Sequence, residues 1–92
     1  MNTPDHILVV DDEEGVRRVA CRILEQNGYN VLEAIHGAEA LEVMTARGRL
    51  VNLVLSDLLM PVMDGPTFIH ALRRTHPKVK IVSMSGYLTQ PE

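Results

Sequence analysis

Short apolar runs and longer amphipathic segments alternate along the whole chain. The apolar runs predict four strands, at Ile7–Val10, Tyr29–Ala34, Val51–Ser56 and Lys80–Met84. Between them, apolar residues recur at helical spacing and predict three helices, at Gly15–Asn27, from Gly37 to a stop at Gly48, and at Pro66–Thr75. Strands that alternate with amphipathic helices indicate a doubly wound α/β fold, with a parallel sheet and helices on both faces.

The apolar positions of each helix predict which face it buries. In the first helix the core-facing residues are expected to be Val16, Val19, Ala20, Ile23 and Leu24. Its charged residues are expected to face solvent, namely Arg17, Arg18, Arg22 and Glu25. The second and third helices are expected to bury Ala38, Leu41 and Met44, and Phe68, Ile69 and Leu72.

Length and composition restrict the possible functions. A chain of 92 residues with 46% hydrophobic content predicts one domain with a small core. The formal charge of -3 and the scattered basic residues argue against nucleic-acid binding, which needs a clustered basic face. Cys21 is the only cysteine, so we expect no intramolecular disulfide or zinc site, and a cytoplasmic setting. No apolar run approaches the roughly 20 residues that span a bilayer, so no membrane partner is expected.

Polar side chains follow three of the predicted strands. Asp11 and Asp12 follow the first, Asp57 follows the third, and Ser85 follows the fourth. The carboxyl ends of parallel strands meet at one edge of the sheet, where ligands bind in such folds. Three carboxylates brought together there repel one another unless they share a cation, and hard oxygen donors suit Mg²⁺. The pattern therefore favours a magnesium site.

A carboxylate beside a metal ion can also attack a phosphoryl group. Asp57 is the better nucleophile because it stands alone, whereas the adjacent Asp11 and Asp12 suit a metal clamp. Ser85 is placed to donate a hydrogen bond to a phosphoryl oxygen. The alternatives are that Asp11 and Asp12 cap the first helix and that Asp57 caps a turn. Asp64-Gly65 is interpreted as a plain turn.

Three motifs resemble the receiver domain of bacterial two-component response regulators. They are Val9-Val10-Asp11-Asp12-Glu13, Asp57-Leu58-Leu59-Met60-Pro61 with Met63-Asp64-Gly65, and Met84-Ser85-Gly86-Tyr87. The resemblance implies a flavodoxin-like sheet in the order 2-1-3-4 and phosphorylation of Asp57. It also implies Mg²⁺ binding through Asp11, Asp12, Asp57 and the backbone carbonyl of Leu59, and phosphoryl sensing by Ser85.

The same resemblance implies a signalling domain rather than an enzyme. Its partner would be a histidine kinase or a histidine phosphotransfer protein. Residues 1–92 would form an incomplete receiver without the fifth strand and helix, which in this family supply a lysine and a switch aromatic residue. The fourth strand would then have an apolar edge, Ile81–Met84, through which a homodimer could form.

Two other readings remain open. A truncated receiver would keep the fold and the metal site but act only through protein contacts. A Mg²⁺-dependent phosphohydrolase would need a second acid near the nucleophile, and Asp57 is followed by Leu58, Leu59 and Met60.

Overall fold

Strands and helices alternate in the structure, a computed structural model that describes residues 6–56 and 65–83. The elements are β1 (His6–Val10), α1 (Glu14–Gln26), β2 (Asn30–Ala34), α2 (Gly37–Arg47), β3 (Val51–Ser56), α3 (Gly65–Thr75) and β4 (Lys80–Ser83). A short 3-10 turn, Gly48–Leu50, joins α2 to β3. The predicted types and order of the elements are confirmed. The predicted end of the fourth strand at Met84 lies outside the described residues.

The four strands form one parallel sheet in the order β2-β1-β3-β4, which confirms the predicted order. The pairing aligns the last residues of all four strands. Val10 pairs with Ala34 on one side and with Ser56 on the other, and Ser56 pairs with Ser83. The loops that leave the carboxyl ends of the strands therefore start from a single row across the sheet.

The two faces of the sheet bury separate cores because successive side chains of a strand point to opposite faces. On one face Ile7 and Val9 of β1 pack with Cys21 of α1. The opposite face forms the larger core, which includes Leu8, Val10, Ala40, Met44, Val54, Phe68 and Leu72. The predicted burial of Met44, Phe68 and Leu72 is confirmed.

The predicted core face of α1 is confirmed for Ala20 and Leu24, which pack against the smaller core, and is wrong for its other three residues. Val16, Val19 and Ile23 are 46%, 56% and 54% exposed, whereas Cys21 is 4% exposed. The buried face carries Cys21 beside the predicted Ala20 and Leu24, with the partly buried Arg17 at its amino-terminal end. Residues 17, 20, 21 and 24 also follow helical spacing, so the helix contains two overlapping apolar faces and packs on the less hydrophobic one.

Cys21 behaves as an apolar core residue. Burial, followed by the nearby carboxylates of Glu33 and Glu25, raises the pKa of its thiol from 9.0 to about 11. The thiol therefore stays protonated at neutral pH and is a weak nucleophile.

Local hydrogen bonds close the end of α1 and the start of α2, on either side of β2. After α1, Gly28 has a φ of 92°, and its N–H donates to Glu25 O at 3.0 Å, which is typical of a glycine at a helix C-terminus. At the start of α2, His36 Nδ1 accepts a hydrogen bond from Glu39 N at 3.0 Å. Glu39 Oε1 accepts one from Ile35 N at 2.7 Å. The two bonds form a reciprocal cap in which imidazole replaces the usual hydroxyl.

Candidate functional site

The candidate site lies at the carboxyl edge of the sheet, where the loops after β1 and β3 begin. Asp11 and Asp12 follow Val10, the last residue of the central strand β1. Asp57 directly follows Ser56, the residue that pairs with Val10. The predicted positions of Asp57, Leu59 and Ser85 lie outside the described residues. The structure thus places two of the predicted site residues, Asp11 and Asp12.

Asp11 is held from several sides. Its side chain is buried, with 2% of the residue exposed. Its N–H donates to Ala34 O of β2 at 3.1 Å, and its Oδ1 accepts a hydrogen bond from Glu13 N at 2.9 Å. The bond to Glu13 turns the chain out of β1 and into α1. Asp12, in contrast, is exposed.

The alternative that the acidic pair caps α1 is wrong. The N-cap residue is Glu13, and its side chain makes no capping hydrogen bond. Asp11 instead accepts from the N–H of Glu13 itself, one residue before the helix begins. Glu14 is the acid that lies in the first turn of α1.

Arg17 is part of the site although the sequence pattern predicted that it faces solvent. Its side chain is 11% exposed, and its Nε lies 2.9 Å from Glu33 Oε1 of β2. Its Nη1 donates to the backbone carbonyl of Asp11 at 3.0 Å. One sequence feature does indicate the burial of Arg17: its helical spacing with Ala20, Cys21 and Leu24 places it on the buried face of α1.

The donor set fits magnesium better than a softer metal. Asp11 and Asp12 supply carboxylate oxygens, one buried and one exposed. Mg²⁺ is usually held by one or two carboxylates and keeps several water ligands, so it suits a partly exposed edge. Within residues 6–56 and 65–83, no group of three His, Cys, Asp or Glu side chains is arranged to hold a metal. The other predicted ligands, Asp57 and Leu59, lie outside that part of the chain.

The opposite edge of the sheet carries a groove of about 900 Å³ at the amino ends of the strands. Its lining includes Ile7, Leu24, Val51, Leu53, Lys78 and Lys80. Asp11 and Asp12, the predicted site residues that the structure describes, do not contribute to it. Among the helices of the described segments, none is both long and apolar enough to cross a bilayer.

Comparison with known proteins shows which family the chain resembles. Residues 7–92 match the family model described as the response regulator receiver domain. The chain is 49% identical over 81 residues to the sensor kinase CckA of Brucella abortus, which covers 88% of the chain and 9% of that protein. The chain therefore corresponds to a small part of this relative.

Solved structures agree with the sequence comparison. The receiver domain of the hybrid histidine kinase CckA is 39% identical with a TM-score of 0.82, covering 95% of this chain and 86% of that chain. A CheX-CheY-BeF3-Mg²⁺ complex from Borrelia burgdorferi is 25% identical with a TM-score of 0.83, covering 87% of this chain and 60% of that chain.

Proposed function

Because the chain belongs to the response regulator receiver family, we propose that it accepts a phosphoryl group on Asp57 within a two-component phosphorelay. The observation that carries this proposal is the pairing of Val10 with Ser56. Adjacent strands lie about 4.8 Å apart, so the loops that bear Asp11 and Asp57 leave the sheet side by side. This supports a site in which the buried carboxylate of Asp11 and the candidate nucleophile Asp57 would share one edge of the sheet.

In the proposed reaction a carboxylate oxygen of Asp57 attacks the phosphorus of a phosphohistidine. A new P–O bond forms, the P–N bond to the donor imidazole breaks, and its electron pair returns to the nitrogen. Ser85 donates a hydrogen bond to a phosphoryl oxygen of the product. The domain acts as a signalling acceptor in this scheme and not as an enzyme with a separate substrate.

Asp11, Asp12, Asp57 and the backbone carbonyl of Leu59 would hold Mg²⁺. When bound, the ion neutralises charge on the phosphoryl oxygens during in-line transfer. The buried and exposed carboxylates of Asp11 and Asp12 support this assignment, because they offer hard donors and leave access for water. The similar CheY complex from Borrelia burgdorferi carries both Mg²⁺ and BeF3 by name, which further supports it.

We propose a histidine kinase or a histidine phosphotransfer protein of the cytoplasm as the donor. The relative from Brucella abortus is a sensor kinase, which supports this assignment. Val16, Val19 and Ile23 form an exposed apolar stripe along α1, which begins at the candidate site. Such a stripe beside the acceptor gives a donor protein a surface on which to bury apolar side chains.

We also propose a homodimer through the free edge of β4. In the described part of the sheet β4 pairs only with β3, and Val82 is 46% exposed. An unpaired apolar edge favours association with a second chain.

The phosphoacceptor proposal predicts that acetyl phosphate and Mg²⁺ add one phosphoryl group to the chain. The gain should disappear in Asp57→Asn, because an amide cannot act as the nucleophile, and should persist in the control Glu14→Gln. Intact-mass spectrometry before and after incubation measures both. A chain that gains no phosphate, yet binds a partner equally well with Asp57→Asn, would instead be a receiver-like interaction module.

A further inference from the structure

Arg17 joins three elements at the candidate site. It lies on the first turns of α1, and its guanidinium pairs with Glu33 of β2 at 2.9 Å. The same guanidinium donates through Nη1 to the carbonyl of Asp11 at the end of β1, at 3.0 Å. The Arg17 side chain is 11% exposed and that of Glu33 is 39% exposed, so the guanidinium is largely buried while its partner carboxylate remains open to solvent. Arg holds such forked geometry better than Lys.

Three contacts together orient Asp11. Its N–H is bound to Ala34 O, its carbonyl to Arg17 and its Oδ1 to Glu13 N. Since the first two fix both flanking peptides of Asp11, they fix the direction of its Cα–Cβ bond. The direction of the carboxylate at the sheet edge therefore depends on Arg17.

We propose that Arg17 is a positioning residue that aims the carboxylate of Asp11 at the Mg²⁺ site. This inference rests on the proposed phosphoacceptor function. Groups that orient metal ligands from outside the coordination sphere typically contribute 10–100-fold to metal affinity. Arg17 acts through the carbonyl of Asp11 and does not itself touch the metal.

The charge of Arg17 and its hydrogen bonds predict opposite changes in Mg²⁺ affinity when the side chain is removed. A guanidinium near a cation site repels the cation, so removing its charge should tighten Mg²⁺ binding if charge alone mattered. Glu33 offsets much of this charge at 2.9 Å. Because Asp11 would lose its orientation, we expect Arg17→Ala to weaken binding. The sign of the change thus separates positioning from simple electrostatics.

The test is a Mg²⁺ titration of the full chain followed by the backbone amide resonances of Asp12 and Glu13. We expect about tenfold weaker affinity in Arg17→Ala. Arg18→Ala is the matched control, since it removes the same charge from an exposed position one residue along α1 and should leave the affinity unchanged. Glu33→Gln keeps an acceptor oxygen for Arg17 and should change the affinity by less than about threefold.

A second measurement uses the metal-free protein. The amide of Asp12 belongs to the same peptide as the carbonyl of Asp11, so Arg17→Ala should shift its resonance while Arg18→Ala does not. Denaturant unfolding without Mg²⁺ identifies any variant that fails to fold, and affinities are compared only among folded proteins. If Arg17→Ala does not fold, Arg17→Lys takes its place. Lysine retains the positive charge but not the forked guanidinium, so this variant should show the same loss of Mg²⁺ affinity.

The outcomes distinguish the two proposals. If the parent chain binds no Mg²⁺, the proposed function itself fails. If the parent binds and Arg17→Ala binds equally well or more tightly, the function stands and the positioning role is overturned.

Discussion

At position 48 a β-carbon would meet the imidazole of His76. Gly48 lies at the end of α2, and a Cβ built there would be 2.7 Å from Cδ2 of His76, with Nε2 closer still. His76 is half-buried beside the end of α3, and its Nδ1 lies 2.9 Å from Thr75 Oγ1. The absence of a side chain at 48 therefore lets the histidine ring pack against the backbone of the α2–β3 connection.

We expect Gly48→Ala to destabilise the protein by about 1–3 kcal/mol, because overpacking at this contact forces the ring to move. Gly15→Ala in α1 is the control, since nothing lies within 4 Å of its added methyl group, and it should stabilise by about 0.5 kcal/mol. Urea unfolding of both variants measures the difference. Adding His76→Ala to Gly48→Ala should recover much of the loss, and no coupling between the two changes would contradict the explanation.

Single residues of the site were predictable to different extents. Asp11 and Asp12 could be placed because an apolar strand that ends in acids delivers them to a sheet edge. That Asp11 is buried and Asp12 exposed could not be predicted, since it depends on the bond from Glu13 N and on the neighbouring strand β2. The burial of Arg17 differs from the prediction because charge on an amphipathic helix indicates solvent exposure, whereas this guanidinium donates to two acceptors, Glu33 Oε1 and the carbonyl of Asp11.

At the scale of the element, α1 shows why periodicity fixes the helix but not its rotation. Apolar residues occupy most of the turns from Val16 to Leu24, so two faces about 100° apart both satisfy helical spacing. The face that carries Arg17 and Cys21 is the one that packs on the sheet, because Arg17 reaches its acceptors there and Cys21 packs against β1. These are contacts with other elements, and hydrophobicity along one helix does not encode them.

The observed rotation predicts different costs for two adjacent truncations in α1. Ile23→Ala should change the free energy of unfolding by about 0.5 kcal/mol or less, since Ile23 is 54% exposed. Leu24→Ala should cost about 2 kcal/mol, because Leu24 packs against the core beneath the helix. Chemical denaturation of the two variants compares them. A larger loss for Ile23→Ala would mean that α1 is rotated as its hydrophobicity suggested.

At the scale of the whole molecule, the topology of the fold was predictable from the sequence, whereas the register of the strands was not. Alternating strands and helices restrict the topology to a parallel sheet with right-handed crossovers, and the motifs then gave the order β2-β1-β3-β4. The alignment of Val10 with Ser56 and Ser83 required the structure, because register follows from packing on both faces.

Within residues 6–56 and 65–83, β4 pairs with β3 alone, and the proposed homodimer through its other edge predicts self-association of the whole chain. We expect a dimer at micromolar concentration in analytical ultracentrifugation, and a shift towards monomer in Val82→Lys, because a charge on an edge strand opposes pairing. Val19→Lys is the control, since it makes the same change at a similarly exposed position on α1. A parent chain that sediments as a monomer would contradict the proposed dimer.

The central position of β1 has a consequence for synthesis. Among the strands of this sheet, β1 comes first along the chain, and its neighbours β2 and β3 come later. β1, α1 and β2 can dock first as one helix-connected unit, which already includes the Arg17–Glu33 pair and the bond from Asp11 N to Ala34 O. Asp11 and Asp12 can thus be in place before β3 emerges, and the proposed nucleophile Asp57 follows later in synthesis.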